Sequence, residues 1–160
     1  MMIPKRGAKK MPHVLDTKEY LDTVCDLLSQ GQQLVPVPVA GSSMTPFLHP
    51  GDTVYVDLPT QPLRKADIVL FTRPSGQYIL HRIIKVNPDG SFIMLGDAQT
   101  EREYVDGPGR IHARVTKATH KGKLLTPRSL RWLFFATVWI WAAPLRPKLM
   151  ALWASIKKTR

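Results

Sequence analysis

The residue types best suited to chemistry sit in two short blocks, AGSSMTPFLHPGD over 40–52 and YILHRII over 78–84. In the first, Gly41 permits backbone geometry that other residues resist, and the Ser-Ser-Met-Thr-Pro turn projects a hydroxyl from a loop between two extended runs. Ser43 is the candidate nucleophile, with Ser42 as a substitute. A serine hydroxyl barely ionises at neutral pH, so it needs a base beside it. In the second block, strand alternation sets Tyr78, Leu80, Arg82 and Ile84 on one face and Ile79, His81 and Ile83 on the other. His81 then shares its face with apolar neighbours, a costly place for an unpaired imidazole. From spacing alone two readings stand: a partly buried histidine satisfied by a carbonyl, or a general base aimed at Ser43.

The elements that must position these residues are legible as texture. Asp16 with Glu19 resembles a capping box, and Leu21, Val24, Cys25 and Leu28 recur at helical spacing before Gly31, so a helix is expected over about 17–30. Beyond residue 33 the chain breaks into short β-type runs: 34–40, 53–57, 67–72, 78–86, 91–95 and 111–118. Turn signals separate them at HPGD (49–52), RPSG (73–76), NPDG (87–90) and DGPG (106–109). The fold class expected is mainly β: an antiparallel, partly closed domain with an N-terminal helix and C-terminal apolar helices. Pro36 and Pro38 donate no ladder hydrogen bonds, which makes 34–40 an edge strand and a place where an extended peptide adds to the sheet.

The chain has 160 residues and a net charge of +11, and the charge is unevenly placed. Up to Asp106 there are 11 Lys and Arg against 12 Asp and Glu; after it there are 12 basic residues and no acidic one. All four tryptophans, Trp132, Trp139, Trp141 and Trp153, lie in that last third. They sit within or just beyond an apolar run, LRWLFFATVWIWAAPL, with basic residues at its ends, rather than interleaved with the basic residues as a nucleic-acid surface requires. This points away from nucleic acid and towards a segment lying on an anionic membrane lipid surface through residues 128–157, the alternative being a helix buried on the domain core. The run is too short for a span of about 20 residues, and Pro144 and Pro147 divide it into helices expected near 128–143 and 147–157. The chain thus divides into a flexible basic tail (1–13), without the apolar stretch of a secretory signal, a catalytic domain (14–125) and a membrane-associating segment (126–160). The single cysteine, Cys25, forms no internal disulfide and builds no metal site alone; it reads as a small buried residue on the first helix, and no metal or cofactor is expected.

Four blocks, in order, resemble those of signal peptidases and the related self-cleaving LexA-like proteases (the S24/S26 superfamily). GSSMTPFLHPGDTVYVD resembles the block with a nucleophilic Ser-Met-x-Pro, and KADIVLF the Gly-Asp-Ile-Val-x-Phe strand, with Ala66 where glycine is usual. YILHRIIKV resembles the block carrying the general base, and MLGDAQTEREYVDG the Gly-Asp block that closes the site. The resemblance covers residues 34–118. It implies Ser43 as nucleophile and His81 as base, in place of the lysine of a Ser-Lys dyad. A histidine base also needs an orienting carboxylate. Asp97 and Asp106 match the family's two aspartates, Asp106 slightly favoured for the triad and Asp97 as a brace. Many relatives have a serine two residues before the nucleophile; Gly41 stands there, so the oxyanion would rest on backbone N–H groups, that of Ser43 included. Asp52 and Asp67 match structural aspartates.

The resemblance implies a membrane-associated serine endopeptidase of the signal-peptidase type. It would cut a precursor protein or peptide after small residues, with the substrate docked beside Val37, Val39 and Ala40. Typical relatives carry an N-terminal anchor, which is not found here. A LexA-like self-cleaving protease and a non-catalytic peptide-binding relative are the alternative functions.

Overall fold

In the computed structural model, which describes residues 17–158, one open antiparallel sheet carries the domain. The predicted tail over 1–13 and Asp16 of the expected capping box lie outside the described residues. Helix α1, Thr17–Ser29, buries Leu21, Val24 and Leu28, and the chain leaves it through Gly31 at φ 87°. The strands are β1 (Val35–Pro38), β2 (Thr53–Asp57), β3 (Ile68–Thr72), β4 (Tyr78–Val86), β5 (Phe92–Leu95), β6 (Glu103–Val105), β7 (Ile111–His120) and β8 (Lys123–Leu125). Their order is β1-β2-β7-β3-β4-β5-β6, with β8 also on β7. Six strands fall on the runs expected; β6 and β8 have three residues each, too few for alternation to show. The sheet is not closed, and β1 lies at its edge as its prolines require.

Alternation divides the interior into two cores. Ile68 and Leu70 of β3 join α1, β1, β2 and β7 in one, while Val69 and Phe71 join Ile83, Phe92, Met94 and Val105 in the other. On β4, Tyr78 and Leu80 pack on the first core and Ile79 and Ile83 on the second, as the period of two dictates. Ala66 enters β3 at φ 80°, the left-handed conformation that glycine adopts without strain.

After β8 come α2 (Leu130–Ala136), α3 (Val138–Trp141), a 3-10 turn (Ala143–Leu145) and α4 (Arg146–Lys158). The first expected helix is therefore broken at Thr137. The tryptophans separate: Trp132 and Trp139 are buried on the first core beside Phe47 and Phe135, whereas Trp141 is 80% and Trp153 50% exposed. No described helix is long and apolar enough to cross a membrane.

Candidate active site

Ser43 lies in the turn between β1 and β2, half-buried, while Ser42 is exposed. Met44, Phe47 and Leu48 anchor this turn in the first core, and the Leu48 N–H donates to the Met44 carbonyl at 2.9 Å. The Thr45–Pro46 peptide is cis. Below the turn, Asp52 accepts the His49 N–H at 2.8 Å and faces His120 Nδ1 at 2.7 Å, clamping the turn to the end of β7.

His81 projects from β4 into the second core, 1% exposed, with the Phe71 ring 6.0 Å away. Gly96, just after β5, joins it to the serine turn. A methyl group at Gly96 would lie 2.6 Å from the Ser43 carbonyl oxygen and 2.9 Å from His81 Nε2. Only glycine fits there. The Ala98 N–H donates to the same Ser43 carbonyl at 2.9 Å, so the loop over 96–99 binds the serine turn on one side and lies against the imidazole on the other. The Ser43 hydroxyl itself has no hydrogen-bond partner among the described residues, an arrangement that tightens in many enzymes only when substrate arrives.

The carboxylate beside His81 is neither aspartate singled out from the sequence. Glu103 of β6 places Oε1 3.3 Å from His81 Nδ1, close enough for an ion pair but without hydrogen-bond alignment, and Nδ1 is sealed from solvent. Arg73, at the end of β3, fixes Glu103 from the other side with two bonds of 2.7 and 2.6 Å. Asp106, the slightly favoured triad member, is displaced from this centre: its side chain is 70% exposed and bonded to Arg110 at 2.8 Å. The longer stretch between the two aspartates carries Asp106 past the end of β6 and sets Glu103 on the inward side instead. Asp97 is fully buried and paired in two places with Arg82, at 3.0 and 2.7 Å. Arg82 also donates to the Ala66 carbonyl and lies 5.0 Å from the Phe47 ring, so Asp97 braces β4 against the serine turn.

Burial pushes the His81 imidazole down to about 4, against the pull of Glu103 and with the push of Arg73. Arg73 holds the Glu103 carboxyl below its ordinary range, outweighing the burial that raises it, so the pair rests as neutral imidazole beside carboxylate. A neutral imidazole at pH 7 is the form that accepts a proton.

A cleft of about 450 Å³ runs past Ser43, lined by Val37, Val39, Ala40, Met44, Ile79 and Leu80 among others. Its walls are two strand edges. On β4, the Ile83 N–H bonds the Asp67 carbonyl towards β3, so alternation turns the peptide groups of Leu80 and Tyr78 to the opposite edge, where β5 pairing begins only at Arg82. Helix α1 is tied to both edges: the Tyr20 hydroxyl donates to the Pro36 carbonyl at 3.0 Å and the Tyr78 hydroxyl to Asp22 at 2.7 Å. Cys25 is half-buried rather than buried, its sulfur 3.7 Å from that tyrosine oxygen.

An open antiparallel sheet with a serine turn apposed to a buried histidine fits the architecture of a serine-type peptidase. The sequence profile described as Peptidase S24-like matches residues 6–114, well over half of the chain, and the protein belongs to that family. The matched span ends within β7, ahead of the C-terminal helices. No curated protein matches the chain.

Proposed function

We propose that the protein is a membrane-associated serine endopeptidase that cuts signal or leader peptides after small residues. Ser43 attacks the scissile carbonyl, His81 Nε2 takes the hydroxyl proton and returns it to the leaving amine, and water then releases the acyl group. Glu103 stabilises the imidazolium as it forms. Among the described residues nothing accepts the Ser43 N–H, which leaves that donor for the oxyanion. The observation that carries the reading is the Gly96 contact, which holds the nucleophile turn and the base on either side of one glycine.

The cleft supports an extended substrate lying between β1 and the first half of β4, drawing ladder bonds from the peptide groups of Tyr78 and Leu80. Ala40 and Met44 line the cleft beside Ser43, where a small side chain before the cut would lie. The exposed side of the C-terminal helices supports lipid contact: Leu130, Phe134, Val138, Trp141, Trp153 and Ile156 are each at least 45% exposed, and Arg128, Lys148 and Lys157 lie among them.

The test is mass-spectrometric cleavage of a precursor-peptide panel in detergent or vesicles by wild type, Ser43→Ala and His81→Ala. The reading requires cuts after small residues by wild type and none by either variant; a His81→Ala enzyme that keeps most of its activity overturns it. One observation favours a second reading, self-cleavage: Thr17, the first residue of α1, lines the same cleft. That reading predicts clipping ahead of α1 at a rate independent of protein concentration.

A further inference from the structure

Arg146 opens α4 and is fully buried, with no carboxylate partner among the described residues. Burial pushes its guanidinium below the usual range, against the pull of the Asp97 charge and with the push of Arg82, and a buried cation is retained only where its donors are satisfied. Backbone carbonyls satisfy them. Arg146 donates to the Trp139 carbonyl at 3.3 and 3.0 Å, to Gly96 at 3.0 Å and to Gln99 at 3.2 Å. The guanidinium lies 5.4 Å from the Trp139 ring, whose own Nε1–H donates to the Asp97 carbonyl at 2.8 Å.

Three of the four residues in the 96–99 loop are thus gripped by side chains of the C-terminal helices. The fourth, Ala98, is the one whose N–H reaches Ser43. The same helices grip the serine turn: Arg131 of α2 donates to the Phe47 carbonyl at 3.3 and 2.7 Å and to the Pro46 carbonyl. If these helices served only to attach the chain to a surface, their polar groups would not need to converge on the two loops that meet at Gly96.

We propose that Arg146 and Trp139 are positioning residues of the active site, holding the 96–99 loop so that Gly96 stays against His81 and Ala98 stays bonded to Ser43. The proposal rests on the reading of Ser43 and His81 as the reacting pair. Catalysis and the C-terminal helices are then one mechanical unit, not a domain with an appendage.

The test uses the full chain with two variants. Trp139→Phe keeps a ring in place and removes one N–H; Arg146→Lys keeps the charge and loses the planar fork. The first readout is the titration of the His81 ring by NMR on protein labelled with [15N]histidine, assigned with His81→Gln. Groups facing that ring are Glu103 from β6, Arg73 from the end of β3 and the apolar Phe71. A loosened loop admits water to the imidazole, so the titration rises from about 4 towards 6.5. The second readout is peptide cleavage, with kcat expected to fall at least 10-fold and KM to change less than 3-fold. The proposal is overturned if Trp139→Phe, folded by circular dichroism, leaves the His81 titration where wild type has it, even when Arg146→Lys fails to fold. It is overturned equally if both variants lose thermal stability with unchanged titration and kcat, the mark of a purely structural role. The NMR readout is independent of turnover. A wild type that cuts no peptide while the titration still moves defeats the peptidase reading, and leaves standing only that Arg146 and Trp139 hold the 96–99 loop against His81.

Discussion

Replacing Glu103 with glutamine removes the charge beside His81 and nearly preserves side-chain shape. In the proposed proton transfer His81 becomes an imidazolium 3.3 Å from Glu103 Oε1. At that spacing and an effective dielectric of ~20, two unit charges attract by about 5 kcal/mol. Arg73 shares the same carboxylate at 2.6 Å, and the Glu103 side chain is 22% exposed, so only part of that attraction is felt at the ring. If about half survives, Glu103→Gln raises the barrier by about 2–3 kcal/mol, roughly 30- to 150-fold in kcat. The pH profile moves as well. Glu103 is what raises the imidazole against its burial, so its loss carries the acid limb of kcat/KM further below the wild-type position near about 4. The assay is cleavage of a leader peptide in detergent from pH 3.5 to 8, with Asp106→Asn as the comparison. Glu103→Gln retaining half of wild-type kcat, or Asp106→Asn losing as much as Glu103→Gln, refutes the assignment of the orienting carboxylate.

Three further expectations concern stability. Asp97→Ala strands the buried Arg82 guanidinium without its partner, so urea unfolding should show a loss of about 3–5 kcal/mol; a loss under 1 kcal/mol contradicts the bracing role. Ala66→Gly relieves a left-handed backbone and should stabilise the fold by about 0.5–1 kcal/mol, visible as a higher Tm; a lower Tm removes the strain argument. The His81 imidazole is depressed in the folded state from 6.5 to about 4. Its contribution is therefore fully present above about 6.5 and lost as the pH falls through about 4, amounting to about 3 kcal/mol at ~1.4 kcal/mol per unit. Urea midpoints of wild type and His81→Gln should converge as the pH falls from 7 to 4, and parallel curves refute this.

Much of the scaffold was legible because its signals are local. Proline punctuation and alternation set β2 and β4 at their observed limits and put β1 at an edge, and alternation also predicted the faces of β4. Strand order was not legible, since β7 inserts between β2 and β3 through contacts far apart in sequence. Glu103 was missed for a similar reason. Its signal was present, an acidic residue alternating with the buried Val105 on one face of Glu-Tyr-Val, the same pattern that marked His81. Three residues are too few for that pattern to outweigh two aspartates beside glycines. Arg146 was read only as one of the basic residues at the end of the apolar run; its burial depends on carbonyls from a loop some 50 residues earlier, which no local pattern predicts. The C-terminal run was read as surface-lying or core-packed; Trp132 and Trp139 pack inward, while Trp141 and Trp153 stay exposed.

The two prolines of β1 also bear on how this chain behaves when crowded. The Val39 N–H bonds the Asp52 carbonyl and the Gly51 N–H bonds the Val39 carbonyl, so residues 35, 37 and 39 face β2 while Pro36 and Pro38 turn outward. The outward edge of β1 therefore offers carbonyl oxygens without N–H donors, and the Tyr20 hydroxyl already engages the one at Pro36. A strand edge from a second copy needs donors and acceptors in alternation, and against this edge it finds no donors. Crowded copies are thereby kept from growing into cross-β ribbons along this edge, even though no strand pairs with it.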